Sequence, residues 1–243
     1  MWKRCLSVLI FAIVAGAQPA NILWDFKGAA GGHNADATLA DFVAMGITED
    51  LSESTVSAVA GGINHLGYEV ISDGLITLTF LSPRNPYSGS FSYDQDNHLM
   101  ADYLYKWRGA SPHAEEIQLS GLSAVLTTNT TYSFYLFGAG DRANQSATFT
   151  FEGTPKVTSE AHPASGLSSE VMVQFSFTTG ETEVADTLNF IWDFTADNSY
   201  TIFNGFAIVV ASEPSYGLLY GILGAILCIS AVGLVLAPRR SKR

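Results

Sequence analysis

The sequence predicts an all-β fold: an antiparallel β-sandwich between an N-terminal signal peptide and a C-terminal transmembrane helix. The central part alternates between apolar and polar residues in short segments rich in Phe, Tyr, Val, Ile and Thr. Long helical segments do not separate these strands, which favours a sandwich over an α/β fold. Each end of the chain carries an apolar run of the kind that targets or anchors a protein. Because no linker divides residues 18–211, they are predicted to form one exported domain.

Eight segments have the composition and spacing of strands: 21–26, 75–81, 116–122, 131–138, 146–153, 171–178, 187–194 and 205–210. In 146–153, Ala147, Phe149 and Phe151 are predicted to share one face, with threonines on the other. Only residues 37–46 have a helical pattern. The turn-rich stretch 82–115 is predicted to be a long loop or a pair of strands capped by loops.

The N-terminus has the organisation of a secretory signal. Lys3 and Arg4 precede an apolar stretch over residues 5–17, which is shorter than the ~20 residues that a membrane span needs. Ala15 and Ala17 form the small-x-small pattern that a signal peptidase accepts, so cleavage is expected after Ala17. Residues 1–17 are therefore interpreted as a signal peptide, and the protein as exported across the inner membrane.

Cysteine and charge constrain the exported domain further. The two cysteines, Cys5 and Cys228, both lie in the terminal apolar runs, so the domain must be stabilised by its packed core and not by disulfides. Residues 18–211 hold six basic and 22 acidic residues, a net charge of −16. Such a surface repels nucleic acid and anionic lipid, and nucleic acid is excluded as a partner.

The segment 212–243 is predicted to cross the membrane. Residues 216–237 carry no charge and as a helix would span ~33 Å, close to the ~30 Å of the hydrocarbon core. The tail 238–243 is basic and is expected to stay on the cytoplasmic side, which places the domain outside. On these residues alone the segment is a permanent anchor.

The same segment resembles a PEP-CTERM sorting signal. Glu213 and Pro214 match the family's Pro-Glu-Pro motif, Ser212 replaces its first proline, and Arg239 and Arg240 belong to the basic tail that follows the helix. The resemblance implies a Gram-negative bacterial source and an exosortase-type processing enzyme as a partner. It also implies transfer from the membrane to the cell surface or extracellular matrix, where polysaccharide is abundant.

Part of the exported domain is similar to a recurring jelly-roll-like domain of exported PEP-CTERM proteins. The similarity runs through residues 121–153, with the Gly-x-Gly-Asp-Arg loop at 138–142, and through 202–210 just before the sorting segment. It implies a galactose-binding-like sandwich and no particular activity.

The sequence lacks the common catalytic signatures. It has no H-x-x-x-H pair, no G-x-S-x-G elbow and no phosphate-binding loop. We therefore expect no enzyme activity and no cofactor, and interpret the protein as an exported binding or structural protein linked to extracellular polysaccharide. An alternative is a polysaccharide-active enzyme that uses Glu181 and Glu183 as paired carboxylates. Against it, Thr179 and Gly180 place both in a predicted hairpin loop.

Two other groups of residues could bind ligands. Asp94, Asp96, Asn97 and Asp102 supply oxygens of the kind that calcium prefers, but their loop lacks the glycine and closing Glu of an EF-hand, and no metal is assigned. Four aromatic residues could line a platform for sugar rings or could be core and rim aromatics of the sandwich. They are Tyr87, Tyr103, Tyr105 and Trp107. The strings at 23–26 and 191–194, both ending in Trp-Asp-Phe, are interpreted as similar core patterns on strands that could be neighbours.

Overall fold

The computed structural model describes residues 20–27, 36–52, 54–60, 70–81, 87–90, 98–109, 114–140, 145–158, 171–195 and 198–211. The signal peptide, with Ala15 and Ala17, lies outside these residues. So does the sorting segment 212–243, with Ser212 to Pro214, Arg239 and Arg240. Within the described ranges no helix is long and apolar enough to cross a membrane.

Most of the described chain is β-strand. The strands are β1 Ile22–Lys27, β2 Val56–Ala60, β3 Val70–Ser72, β4 Thr77–Phe80, β5 Tyr87–Ser90, β6 Asp102–Trp107, β7 Glu115–Ser120, β8 Thr131–Phe137, β9 Ala147–Phe151, β10 Thr154–Val157, β11 Met172–Thr178, β12 Thr187–Phe194, β13 Tyr200–Phe203 and β14 Gly205–Val210. One short helix, α1, spans Leu39–Ala44, and 3-10 turns span His98–Met100 and Leu122–Ala124. All eight predicted strands and the predicted helix are confirmed, with ends that differ by a few residues.

The strands form three sheets. A five-stranded sheet has the order β11-β8-β14-β1-β2, and a six-stranded sheet has the order β10-β9-β12-β7-β4-β3. A smaller sheet has the order β13-β6-β5. The described pairs are antiparallel except β1 with β2, which are parallel. The sandwich prediction is therefore confirmed, with one parallel pair that it did not include.

The main core lies between the two larger sheets. Phe134 on β8 contacts Phe151 on β9 and Phe190 on β12, with ring centroids 5.6 and 5.5 Å apart and edge-to-face geometry. Edge-to-face packing places the positive ring edge against the negative face. The alternating burial of β9 follows the predicted pattern, with Ala147, Phe149 and Phe151 all buried.

Trp24 and Trp192 are both fully buried in this core, which explains why residues 23–26 and 191–194 share a pattern. The suggestion that their strands are neighbours is wrong. Trp24 lies on β1, whose antiparallel partner is β14, whereas Trp192 lies on β12 of the other large sheet. The two strings are alike because both contribute a tryptophan to the same inter-sheet space, not because they pair.

A second apolar layer covers the outer face of the five-stranded sheet. It contains Phe42 of α1 with Leu23, Phe137 and Val209 of the sheet. Helix α1 begins at a capping box, where the Thr38 amide and hydroxyl both donate to Asp41 Oδ2 at 2.7 Å. Asp25 lies on β1 beneath this layer, and its carboxylate is buried.

Two connections cross between sheets, and one of them was predicted to be a hairpin. β8 and β9 belong to different sheets, and in the described residues a bridge between Ala139 and Ser146 lies near their ends. β11 and β12 are also in different sheets, so the loop with Glu181 and Glu183 is an arch and not a hairpin. Turn residues indicate a reversal of direction, but they do not determine which strand becomes the partner.

Candidate functional site

Strand β6 presents alternate aromatic residues on one face. Tyr103 and Tyr105 are half-buried and Trp107 is 52% exposed, while Leu104 and Lys106 between them are buried on the opposite face. Alternation with period two is what a strand imposes on its side chains. The stretch 82–115 contains the paired strands β5 and β6, and β6 carries these aromatic side chains on one face.

Strand β13 adds a fourth aromatic residue to this surface. Tyr200 is the cross-strand partner of Trp107 and is 38% exposed. Its ring centroid lies 6.1 Å from that of Tyr105, and the Tyr105 ring lies 6.1 Å from that of Tyr103. We call Tyr103, Tyr105, Trp107 and Tyr200 the aromatic face.

The structure places the four candidate platform residues on the neighbouring strands β5 and β6. Tyr103, Tyr105 and Trp107 share the face, and the backbone of β5 places Tyr87 opposite Tyr105. Tyr200 was missed because it lies almost a hundred residues further along the sequence. The short alternating stretch from Tyr200 to Phe203 could have indicated a strand, but not its partner.

A buried ion pair lies on the face of β6 opposite the aromatic residues. Lys106 Nζ donates to Glu115 Oε2 at 2.8 Å, and the two side chains are 1% and 0% exposed. A charge buried this completely requires its partner, because an unpaired charge in the interior is very costly. The pair therefore fixes the end of β6 against the first residue of β7.

Arg108 connects the end of β6 to the turn that precedes β13. Its Nε donates to the Asn198 carbonyl at 2.7 Å and its Nη2 to the Thr195 carbonyl at 2.9 Å. Its backbone amide donates to the Ser199 carbonyl at 2.9 Å. Trp107 and Tyr200 directly adjoin these contacts, so Arg108 fixes the backbone segments that carry the two residues.

The alternative catalytic residues have a different setting. Glu181 and Glu183 are exposed in the arch between β11 and β12, not on a strand. Asp186, the third acidic residue of that loop, has a structural role. Its carboxylate accepts hydrogen bonds from the Ser123 hydroxyl and amide and from the Gly121 amide, which lower its pKa.

A cavity of about 320 Å³ opens next to this arch. Its apolar lining includes Phe151, Phe177 and Leu188. Two polar side chains on its wall bond within the protein: Thr179 Oγ1 donates to the Thr127 carbonyl at 2.6 Å, and Asn189 bonds to the side chain of Gln118 at 3.2 Å.

The candidate calcium ligands Asp94, Asp96, Asn97 and Asp102 do not all lie in the described part of the chain. Asp94, Asp96 and Asn97 lie outside the described residues, whereas Asp102 begins β6 with a buried side chain. Among the residues that the structure describes, no group of three or more His, Cys, Asp or Glu is arranged to hold a metal ion.

Asp25 is a buried carboxyl group with a strongly raised pKa. It is 2% exposed, and its Oδ2 accepts the Ala37 amide at 2.9 Å. Within the described ranges its Oδ1 has no hydrogen-bond partner. Its pKa is raised to about 7, mainly by burial; the hydrogen bond from Ala37 lowers it in part, and the negative charges of Asp102, Asp36 and Asp41 contribute to the rise.

Comparisons with known proteins give structural likenesses only. No known family model matches the chain, and no curated protein matches it. Among solved structures it is similar to the CBM22-1 xylan-binding domain from Paenibacillus barcinonensis Xyn10C, with TM-score 0.34 and 13% identity over 56% of this chain and 86% of that chain.

It is also similar to the C-terminal family 22 carbohydrate binding module of Clostridium thermocellum Xyn10B, with TM-score 0.36 and 13% identity over 58% of this chain and 88% of that chain. A third similar structure is TmCBM61 in complex with beta-1,4-galactotriose, with TM-score 0.30 and 7% identity over 56% of this chain and 89% of that chain. At TM-scores this low, any functional assignment has to rest on the aromatic face itself.

Proposed function

We propose that the exported domain is a non-catalytic, jelly-roll-like module that binds polysaccharide on the aromatic face. The observation that carries this proposal is the presence of four aromatic side chains on one face of a small sheet, two of them 52% and 38% exposed. Exposed large aromatics placed together are costly unless a ligand covers them. The C–H groups of a sugar ring pack on an aromatic face, and the surrounding hydroxyls remain in water.

The charge of the domain favours a neutral glycan over an acidic one. Residues 18–211 carry a net charge of −16, so a uronate-rich or sulfated chain would be repelled at long range. The cations next to the face are already engaged: Lys106 is buried against Glu115, and Arg108 is bonded to backbone carbonyls. Stacking on uncharged rings would then supply most of the affinity.

Trp107 provides a direct test. Trp24 and Trp192 are fully buried, whereas Trp107 is exposed. The part of the acrylamide quenching of fluorescence that is lost in Trp107→Phe therefore comes from Trp107 and reports on the aromatic face. The full chain would be titrated with soluble neutral polysaccharides such as hydroxyethyl cellulose, xylan and galactan, and with alginate as the acidic comparison. Protection of Trp107 by a neutral glycan supports the proposal. If every glycan leaves the quenching of Trp107 unchanged, the proposed function is wrong.

We further propose that the domain is held at the membrane by residues 216–237 and released by an exosortase-type enzyme to the cell surface or matrix. The order of Ser212-Glu213-Pro214, apolar run and basic tail supports this proposal. The intact mass of the mature protein from membrane and outer fractions of the native host tests it. A C-terminus near Glu213 in the outer fraction supports processing, whereas an intact Arg243 found only in the membrane indicates a permanent anchor.

A further inference from the structure

We propose that the aromatic face binds single, soluble glycan chains and not the flat surface of a crystalline polysaccharide. This inference rests on the proposed function and concerns the physical form of the ligand. The orientation of the rings relative to one another carries it.

The three tyrosine rings of the aromatic face are not parallel. The planes of Tyr103 and Tyr105 meet at 66°, and those of Tyr105 and Tyr200 meet at 65°. A crystalline polysaccharide presents its sugar rings in one plane, so aromatic side chains that stack on it together have to be coplanar. With angles near 65°, only one ring of each contacting pair can lie flat on such a surface.

The rings also differ in exposure. Trp107 and Tyr200 are 52% and 38% exposed, whereas Tyr103 and Tyr105 are half-buried. A rigid plane that contacts the two more exposed rings has limited access to the two half-buried rings. A single chain can rotate about its glycosidic bonds and so present successive sugar faces at different heights and angles.

Contacts between the rings hold this arrangement. Each measured pair packs edge-to-face with centroids 6.1 Å apart, a geometry that aromatic quadrupoles favour. Arg108 fixes the turn before Tyr200 through two side-chain hydrogen bonds. Flattening the face would break these contacts, so a preorganised site selects a ligand that follows its shape.

The test compares one polymer in two physical forms, presented to the full chain. Hydroxyethyl cellulose and amorphous swollen cellulose would be compared with microcrystalline cellulose at equal accessible surface, and amorphous with crystalline chitin in the same way. We expect binding to the crystalline form to be at least about tenfold weaker. Trp107→Ala and Tyr200→Ala should lose binding to the soluble or amorphous form. Ile191→Ala is the matched control, because Ile191 is 39% exposed on a different sheet.

The outcomes separate the two proposals. Binding to the crystalline form as strong as to the soluble form, and lost in Trp107→Ala, overturns the single-chain inference and leaves polysaccharide binding intact. If the chain binds no soluble, amorphous or crystalline glycan, the proposed function is wrong, and so is this inference.

Discussion

Asp25→Asn is expected to stabilise the protein above neutral pH and to leave its stability nearly unchanged in mild acid. The Asp25 carboxyl is buried beneath the layer that contains α1, and its pKa is about 7 instead of 3.8. The folded state therefore holds the Asp25 proton more tightly than the unfolded state. The free energy of unfolding falls as pH rises from about 4 towards 7, because over this range the carboxyl ionises in the unfolded state but stays protonated in the folded state.

The magnitude follows from the difference in pKa. A change from 3.8 to about 7 corresponds, at about 1.4 kcal/mol per unit, to a cost of ~4 kcal/mol once the group is ionised in both states. An asparagine at this position keeps an oxygen that can accept the Ala37 amide, which Asp25 now bonds, and carries no charge. We therefore expect Asp25→Asn to raise the free energy of unfolding by up to ~4 kcal/mol at pH 8 and by close to zero at pH 4.

Urea unfolding of the full chain, followed by the fluorescence of the buried tryptophans and extrapolated to water, measures this difference. A chelator is included so that no divalent cation binds the carboxylates of Asp25, Asp36, Asp41 and Asp102 and neutralises their charge. Asp50→Asn is the matched control, because Asp50 is exposed and its pKa is lowered by bonds from Ser52. It should give no gain at pH 8. The reasoning is refuted if Asp25→Asn changes the free energy of unfolding by the same amount at pH 8 as at pH 4, or lowers it at both.

The remaining predictions concern the support of the aromatic face and the acidic arch. Arg108→Ala removes two hydrogen bonds to the turn before β13 and should weaken glycan binding about five- to tenfold in the quenching titration; unchanged affinity would contradict a positioning role. Glu115→Gln removes the carboxylate that pairs with the buried Lys106 and should cost ~3–5 kcal/mol in urea unfolding, whereas the exposed neighbour Glu116→Gln should cost little. Replacing Glu181 and Glu183 together by Ala should change neither the glycan affinity nor any release of reducing sugar. A hydrolytic activity that is lost in this double variant would refute the non-catalytic assignment.

The candidate site could be predicted only in part from sequence. The sequence shows Tyr103, Tyr105 and Trp107 at alternate positions, and it left two interpretations open: a platform for sugar rings, or core and rim aromatics of the sandwich. Whether that platform was exposed could not be predicted, because core and surface aromatics have the same spacing within a strand. Tyr200 joins the face only because β13 pairs with β6, a contact between segments that lie far apart in the chain.

Local periodicity was enough to locate the eight predicted strands and the face of β9 that enters the core, because a strand exposes alternate side chains whatever its partner is. The sequence also determines the charge of the exported domain and the absence of cysteine from it. Tertiary structure alone decided three further features: the parallel pairing of β1 with β2, the arches between sheets, and the burial of Asp25 near three other carboxylates. Strand partners and carboxyl pKa values depend on groups brought together through space, and single-sequence patterns carry no information about those distances.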